Sequence, residues 1–274
     1  MSRKINIFTS LTSGCPSAIV NNFFAIADMS EANLASYLAT KGLTYSELKD
    51  IWCSFITGCD SDGYLGKIGA LHPFVGNDAT RQKYNMLNPL DTDAAFRLSF
   101  FGGLTHSANG VLGNGVNGYI NTHWNFTTEA SVDAAGFMTY HRRVVTSRAY
   151  GVLQGAIYAF QNYAGNCQVG SGVISYSNAT HPSTRTWMSY RNASNFNETI
   201  RDGVVVGTNG ATPASLPNAN FLYLALNQGS GTGTFINSNE ICFGAMINGA
   251  FTQAEALNFR TRIDDLQLAL GNNV

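Results

Sequence analysis

From His72 onward the sequence is a series of short β-rich runs separated by Gly, Asn and Pro. The runs follow one another about every 8–15 residues and include AFRLSFFGG, GYINT, GFMTYHRRVV, TWMSYR and FLYLALN. Such spacing favours a sandwich or a barrel over βαβ units, and 274 residues suit a single domain of that kind. Because alternate strand residues point to the same side, we expect Phe96, Leu98 and Phe100 to share one face.

Helices are predicted on either side of these runs by their capping residues. Ser30 is the expected N-cap of one helix, and the capping box at 44–47 begins an amphipathic helix that ends near Gly58. A second capping box, at 252–255, begins a C-terminal helix for which Gly271 is a suitable stop.

The chain divides into an N-terminal arm, a helical region and a β-sandwich. Residues 1–29 have no helical stripe and are predicted to form an extended arm that docks on another molecule, with packing on its own domain as the alternative. Residues 30–70 form the helical region, and residues 71–274 form the sandwich with a short helix near 252–270. Asp-Gly at 202–203 predicts a tight hairpin turn, since it supplies the positive φ angles that such a turn needs.

Charge is scarce in this chain. Charged residues make up 12% of it and the formal net charge is −1, which argues against nucleic-acid binding by broad phosphate neutralisation. Copies of a near-neutral chain repel one another little, so we expect a homo-oligomer, such as a trimer, in which residues 1–29 contact another subunit or a larger particle. No stretch approaches the roughly 20 apolar residues of a membrane helix, and the first residues lack the apolar core of a signal peptide.

Metal and cofactor sites are not expected. The turn at 60–63, DSDG, resembles the start of a calcium loop but lacks the later carboxylate, and GNGVNG at 113–118 lacks the Lys-Ser/Thr of a phosphate loop. The five cysteines are odd in number and show no CxxC spacing, which predicts reduced, mostly buried thiols. No histidine pair has ligand spacing, and a metal shared by His106 and His123, which come from Gly/Asn-rich segments, is the alternative that the sequence leaves open. The cysteines are Cys15, Cys53, Cys59, Cys167 and Cys242, and the other histidines are His72, His141 and His181.

No catalytic constellation is recognised, so we expect a protein that is not an enzyme and has no catalytic residues. Sandwich glycosidases place two carboxylates on either side of the scissile bond, and on a strand such a pair must lie an even number of residues apart. The candidate carboxylates show no such pairing in an aromatic run, and no GxSxG elbow is present. These candidates are Glu129, Asp133, Glu198 and Glu240.

Sugar binding is the alternative that the aromatic residues leave open, because ring faces stack on the C–H faces of sugars. Filling of the sandwich core is the competing role for the same side chains. The candidate rings are Trp124, Trp187, Tyr140, Tyr158, Tyr163 and Tyr190. Arginines in the middle third either form an interface for an acidic partner or are solvated charges at strand edges; they are Arg142, Arg143, Arg148, Arg185, Arg191 and Arg201.

Two blocks resemble known families. TWMSYRNASNFNETIRDGVVVGTN, FLYLALN and EICFGAMINGAFTQAEALNF resemble the end of laminin-G/concanavalin A-like jelly rolls. LHPFVGNDATRQKYNMLNPLDTDAAFRLSFFGG with NGVNGYINT resembles a segment of virion proteins from tailed bacteriophages of Bacteroidetes hosts and crAss-like relatives. That resemblance spans roughly residues 30–271, and it brings no catalytic residues with it.

The resemblance implies a concanavalin A-like antiparallel β-sandwich in a structural component of a virion. The expected role is that of a capsid decoration, head-fibre or tail protein, located in the particle after synthesis in the host cytoplasm and held by contacts with itself and other virion proteins. The alternative function is a lectin-like module that binds glycans on the host surface. Neither nucleic acid nor membrane is an expected partner.

Overall fold

The computed structural model describes residues 17–144, 149–154, 157–162, 166–170, 174–175, 186–212, 215–229, 231–234 and 236–272. The helices are α1 (Ala18–Ile26), α2 (Glu31–Lys41), α3 (Tyr45–Ser61), α4 (Ala79–Gln82), α5 (Phe126–Glu129) and α6 (Gln253–Ala269). The strands are β1 (Ile68–His72), β2 (Ser99–Phe101), β3 (Leu104–Ser107), β4 (Gly110–Gly113), β5 (Tyr119–Asn125), β6 (Ala135–Arg143), β7 (Ala149–Gln154), β8 (Ile157–Asn162), β9 (Asn166–Gly170), β10 (Ile174–Ser175), β11 (Thr186–Ala193), β12 (Phe196–Arg201), β13 (Val204–Asn209), β14 (Asn220–Tyr223), β15 (Leu226–Asn227), β16 (Gly233–Thr234) and β17 (Glu240–Ile247).

The strands form two sheets that pack face to face. The helix-covered sheet has eight strands, with β13-β12-β11-β6-β17-β4-β3 in order and β1 paired to β17. The outer sheet has nine strands, with β10-β9-β8-β7-β14-β5-β2 in order and β15 and β16 attached beside β7. Neighbouring strands are antiparallel apart from the short parallel contact of β15 with β7 in the described part of the chain. The prediction of a mainly β chain with antiparallel sheets and a C-terminal helix is confirmed.

A hydrophobic core fills the space between the two sheets. Trp124 and Phe221 of the outer sheet meet Phe137 and Trp187 of the helix-covered sheet there. Burial alternates along β5, so one side of that strand faces this core and the other faces outward. The predicted row of Phe96, Leu98 and Phe100 also contacts this core.

That row is not one strand, which differs from the prediction. Only Ser99–Phe101 is extended, and Phe96 ends a 3₁₀ turn at Asp93–Ala95 with a φ of 58°. The Phe96 ring lies 4.8 Å from the Trp124 ring, so this packing holds Phe96 on the core side although its backbone leaves the strand conformation.

A helical layer covers the other face of the helix-covered sheet. Phe55 of α3 lies 5.9 Å from Phe243 of β17 and 6.3 Å from Phe259 of α6, measured between ring centroids. Trp52, Phe55 and Phe259 are all buried in one cluster with the sheet residues Tyr140 and Phe243. The predicted helical region and C-terminal helix therefore act together as a third layer.

The local sequence rules for helix and hairpin ends are confirmed. Both capping boxes, 44–47 and 252–255, are formed, and Gly271 follows α6 with a φ of 67°. Helix α3 runs past Gly58 to Ser61, because Cys59 continues its buried face. Residues 202–203 make the expected turn between β12 and β13, with φ angles of 46° and 80°. Over the described residues, no helix combines the length and apolar character needed to cross a membrane.

The predicted extended arm is wrong for the part that the structure describes. Ser17 caps helix α1, and Val20, Phe23 and Phe24 of that helix are buried. Phe24 packs edge-on against Tyr45, 5.8 Å away, at the start of α3. Residues 17–29 therefore pack on their own domain, and the rest of the arm, residues 1–16, lies outside the described residues.

Candidate functional site

The carboxylates singled out in the sequence lie in different structural settings. Glu198 is fully buried toward the helical layer, where it accepts hydrogen bonds from the Tyr190 hydroxyl and from Gln253 Nε2 at 2.7 Å. Glu240 is nearly buried and pairs with Arg142 at 3.2 Å. Glu129 is half-buried at the end of α5, and Asp133 is exposed in the turn before β6.

The aromatic residues that were candidates for sugar stacking mostly serve the core. Trp124, Trp187, Tyr140 and Tyr190 are at most 1% exposed, so no ligand can reach their ring faces. The side chains of Tyr158 and Tyr163 lie outside the described residues.

The histidines have separate partners. His72 is buried with its Nδ1 3.0 Å from the Tyr223 hydroxyl and its Nε2 2.8 Å from the Phe96 carbonyl oxygen, and burial lowers its pKa to about 4. Burial likewise lowers the pKa of His141 to about 3. His106 hydrogen-bonds to Gln82 Oε1 at 2.7 Å, whereas His123 contacts Ser99, so the structure gives these two residues different roles. His181 lies outside the described residues.

Arg191 is a buried structural residue, contrary to the expectation of a solvated charge or an acidic interface. Its guanidinium donates to the backbone carbonyls of Val132, Val169, Ser194 and Ala211. Arg142 pairs with Glu240, and the Arg201 guanidinium lies 5.7 Å from the Trp187 ring centroid. Arg143 is exposed, and Arg148 and Arg185 lie outside the described residues.

The cysteine expectation holds only in part. Cys59 and Cys242 are free and buried, but Cys53 is disulfide-bonded, which corrects the prediction of reduced thiols at that position.

A different group of side chains projects outward together from two strands of the outer sheet. We call it the outer strip: Ser99 and Phe101 of β2, with Tyr119, Asn121 and His123 of β5. Ser99 pairs with Asn121, and Phe101 pairs with Tyr119, across the antiparallel ladder. The alternate residues of β5, such as Ile120 and Trp124, point into the core, so the strip lies on the opposite face.

An aromatic stack forms one end of the outer strip. The Phe101 and Tyr119 rings are stacked with centroids 4.9 Å apart and planes inclined by 12°. Tyr119 is backed by Gly233, where an added Cβ would lie 2.8 Å from the ring, whereas Phe101 is 42% exposed. The stack is therefore supported from behind and offers an accessible aromatic ring to solvent.

The turn after Phe101 is held by a loop rich in asparagine. Gly102 has a φ of 67°, and a Cβ there would lie 2.0 Å from the Asn117 carbonyl oxygen, so only glycine allows this approach. Asn114 Oδ1 accepts hydrogen bonds from the backbone N–H groups of residues 116–118 at 3.0–3.1 Å. The predicted GNGVNG loop therefore braces the aromatic end of the strip.

A polar cluster forms the other end of the outer strip. His123 has a φ of 58° within β5, and its backbone N–H donates a hydrogen bond to Asn121 Oδ1 at 2.9 Å. The pairing of β5 with β14 shifts register over this segment. Such irregularities re-aim side chains and cluster at functional sites, and here His123 Nε2 reaches Ser99 Oγ at 2.8 Å and Asp93 Oδ1 at 3.4 Å.

This cluster is not a serine-hydrolase triad. In a triad, the serine and the carboxylate contact opposite nitrogens of the histidine, whereas both Ser99 and Asp93 approach Nε2 of His123. Burial lowers the pKa of His123, with the Asp93 carboxylate acting in the opposite direction. The neutral ring is thus a hydrogen-bonding group within a polar surface.

No residue of the outer strip is a sugar-binding candidate on the sequence pattern alone. Phe101 stood in a run predicted only to be β-rich, and His123 was considered only for a metal. The alternation in YINTHWN could have predicted the outward face of β5, because it places Tyr119, Asn121 and His123 on one side and the apolar Ile120 and Trp124 on the other. The disruption of β5 at His123 had no indication in the sequence.

Comparisons with known proteins relate this chain to others through its fold. No protein-family model matches it, and no curated protein matches its sequence. Domain 4 of a GH43 extracellular arabinanase from Geobacillus stearothermophilus, solved with arabinotriose, is similar at 12% identity and a TM-score of 0.51, covering 71% of this chain and 98% of that domain. A Trypanosoma rangeli sialidase mutant displaying trans-sialidase activity is similar at 11% identity and a TM-score of 0.52 over 90% of this chain, which spans only 38% of the sialidase.

These comparisons contradict the expectation that the chain is not an enzyme. The expectation rested on the lack of a recognisable catalytic pattern, yet the chains that share the fold come from a GH43 arabinanase and from a sialidase. The sandwich thus occurs within carbohydrate-active enzymes, and neither this fold nor the sequence pattern is a reason to exclude enzymatic activity. At this level of identity the likeness shows the fold alone.

Proposed function

We propose that the protein binds carbohydrate through the outer strip. The observation that carries this proposal is the exposed Phe101 ring, stacked on Tyr119 and followed on the same face by Asn121, Ser99 and His123. The face of an aromatic ring carries partial negative charge and attracts the C–H groups of a sugar. The amide, hydroxyl and imidazole groups beside it supply the hydrogen bonds that orient a polyhydroxylated ligand.

The fold adds support of a general kind. Arabinotriose accompanies the arabinanase domain that shares the sandwich, and we extend carbohydrate recognition to this chain as part of the proposal. The outer strip suits that role because the opposite face of the sandwich is occupied by helices α1, α3 and α6.

A glycan array followed by calorimetry tests the proposal. Wild type is expected to bind a defined set of oligosaccharides, and Phe101→Ala is expected to lose at least about tenfold in affinity, the equivalent of one stacking contact of about 1.4 kcal/mol. Phe101→Tyr keeps the ring and should retain binding. Val204→Ala removes another exposed apolar side chain, at the far edge of the helix-covered sheet, and is the matched control. Absence of any glycan ligand for wild type would refute the proposal.

A place in a bacteriophage virion is our second proposal, with the sandwich assigned to the concanavalin A-like jelly-roll type. It is favoured by the order of elements, since α2 and α3 precede the sandwich and α6 closes it, as the resemblance to phage proteins implies. In this role the protein is a homo-oligomer that contacts other virion proteins, and glycan binding by the outer strip serves attachment to the host surface.

Mass spectrometry of purified particles tests this second proposal. The chain is expected at a fixed stoichiometry in particles that have been washed at high salt, and light scattering of the isolated protein should give an oligomer. A chain that stays in the soluble fraction of the lysate while particles form normally would contradict a virion role and leave carbohydrate binding standing.

A further inference from the structure

The charged groups beside the outer strip neutralise one another. Arg97 donates through Nε to Asp93 at 3.0 Å and through a terminal nitrogen to Asp91 at 2.9 Å. Lys83 donates to the second oxygen of Asp91 at 2.6 Å. Two cations and two carboxylates therefore form a closed network, and neutral His123 adds no charge to it.

The carboxylates lie further out than the cations in this network. The side chains of Asp93 and Asp91 are 59% and 48% exposed, whereas those of Arg97 and Lys83 are 33% and 19% exposed. A ligand approaching the polar end of the strip thus meets carboxylate oxygens before it meets a positive charge.

Hydrogen-bonding capacity at this end remains for a ligand. Asp93 uses Oδ1 for Arg97 and His123, and Asn121 uses Oδ1 for the backbone of His123. Among the described residues, no hydrogen bond occupies Asp93 Oδ2 or Asn121 Nδ2. One acceptor and one donor are therefore available beside the aromatic stack, which is the pairing that adjacent sugar hydroxyls require.

From this arrangement we infer that the outer strip selects neutral oligosaccharides and rejects sugars that carry a carboxylate, a conclusion that rests on the proposed carbohydrate binding. Recognition of a carboxylate calls for an unpaired arginine or lysine, ideally in a bidentate geometry. Arg97 is already shared between two carboxylates, and Asp93 would repel a sialic or uronic acid. The fold likeness to a sialidase accordingly does not extend to the ligand.

The length of the strip indicates a short oligosaccharide as the ligand. Tyr119 and His123 lie four positions apart on β5, which corresponds to about 14 Å of strand at about 3.4 Å per residue. The aromatic stack and the free polar atoms therefore contact different sugar units of one chain, and both ends should contribute to affinity.

An array that pairs each neutral oligosaccharide with its sialylated or uronic-acid counterpart tests this inference. Wild type is expected to bind neutral members at least about tenfold more tightly than their acidic counterparts, with little change between low and high salt. Asp93→Asn should weaken neutral binding by about tenfold and reduce the difference in affinity between neutral and acidic members, because it removes the charge of the acceptor and leaves Arg97 paired with Asp91 alone. Asp265→Asn, an exposed carboxylate on α6, is the control and should change neither quantity.

The outcomes separate the two levels of the proposal. If wild type binds no member of the array, carbohydrate binding itself is wrong. If it binds, and Phe101→Ala abolishes binding, but acidic members bind as well as or better than neutral ones, then carbohydrate binding stands and the preference for neutral sugars is overturned. If Asp93→Asn and Asp265→Asn had the same affinity for neutral sugars and the same preference over acidic ones, the assigned role of Asp93 would be overturned.

Discussion

The two outward faces of the sandwich carry similar residue types and use them differently. On the helix-covered sheet, Glu198 is buried and accepts hydrogen bonds from Tyr190 and from Gln253 of α6, while Glu240 is nearly buried and pairs with Arg142. On the outer sheet, the strip presents an aromatic ring and polar side chains to solvent. A carboxylate or a large ring in the sequence therefore indicates little about function until the layer that covers it is known.

Because the two faces are used differently, stability and ligand affinity should respond to substitutions on different faces. Substitutions on the helix-covered face should change the free energy of unfolding and leave ligand affinity alone, whereas substitutions on the outer strip should do the reverse.

Phe243→Ala should cost about 4 kcal/mol of unfolding free energy, within the usual range for a buried phenylalanine. Phe243 is fully buried and packs against Phe55, so its loss leaves a cavity between sheet and helices. Denaturant unfolding gives the change, and calorimetry below the melting temperature should give unchanged glycan affinity. Loss of affinity in the folded fraction would break the proposed independence of the two faces.

Acidification should lower the free energy of unfolding through His72, which contacts Tyr223 of the core between the two sheets. The folded-state pKa of His72 is about 4, below that of the unfolded chain, so the unfolded state binds the proton first. Stability is therefore fully present above about pH 6.5 and is lost as the pH falls toward 4, by about 3 kcal/mol for this residue.

Urea unfolding measured between pH 7 and pH 4 checks this expectation. His72→Gln should reduce the pH dependence while retaining partners for Tyr223 and the Phe96 carbonyl, and His141 should account for part of the remainder, since its pKa is also lowered. An unchanged slope in His72→Gln would show that other groups dominate the acid response.

Thr252→Ala should destabilise the helical layer by about 1 kcal/mol. Thr252 accepts a hydrogen bond from the backbone N–H of Glu255, and Glu255 Oε2 accepts one from the backbone N–H of Thr252, which closes the capping box of α6. Thr261→Ala is the matched control on the same helix, because its hydroxyl only donates back to Leu257 and alanine favours a helix. Equal melting temperatures for the two variants would contradict the role of the cap.

Much of the fold could be predicted from the sequence because its rules are local. Capping boxes and the Asp-Gly turn at 202–203 each depend on a few neighbouring residues, and each appears where expected, whereas the run AFRLSFFGG is a strand only at Ser99–Phe101. The helix at Ala18–Ile26 was missed, since FFAIADM is apolar nearly throughout and so shows no periodicity. This helix packs on α3 through Phe24 and Tyr45, and a contact between residues so far apart in the chain cannot be predicted from neighbouring residues.

The site could not be predicted because it depends on which side of each strand is covered. Phe100 and Phe101 are adjacent and chemically identical, yet Phe100 packs on the core and Phe101 stacks on the outside. Their roles follow from the register of β2 on β5, and from the contact of Gly102 with Asn117 that ends the strand. Ser99, His123 and Asp93 come together through the irregular conformation of His123, which only the folded chain reveals.

Phe101→Ala should change stability least of these substitutions while removing glycan binding. The ring is 42% exposed and, among the described residues, stacks on Tyr119 alone, so the expected loss is about 0.5 kcal/mol, at the low end for an aromatic pair. Urea unfolding and the glycan array, performed on the same preparation, give both quantities. The contrast with Phe243→Ala is the measure of how separate the two faces are, because the two variants lose the same side chain from opposite faces. If Phe101→Ala instead lowered stability by 3 kcal/mol or more, the ring would belong to the core, and its loss of binding would no longer assign it to a ligand site.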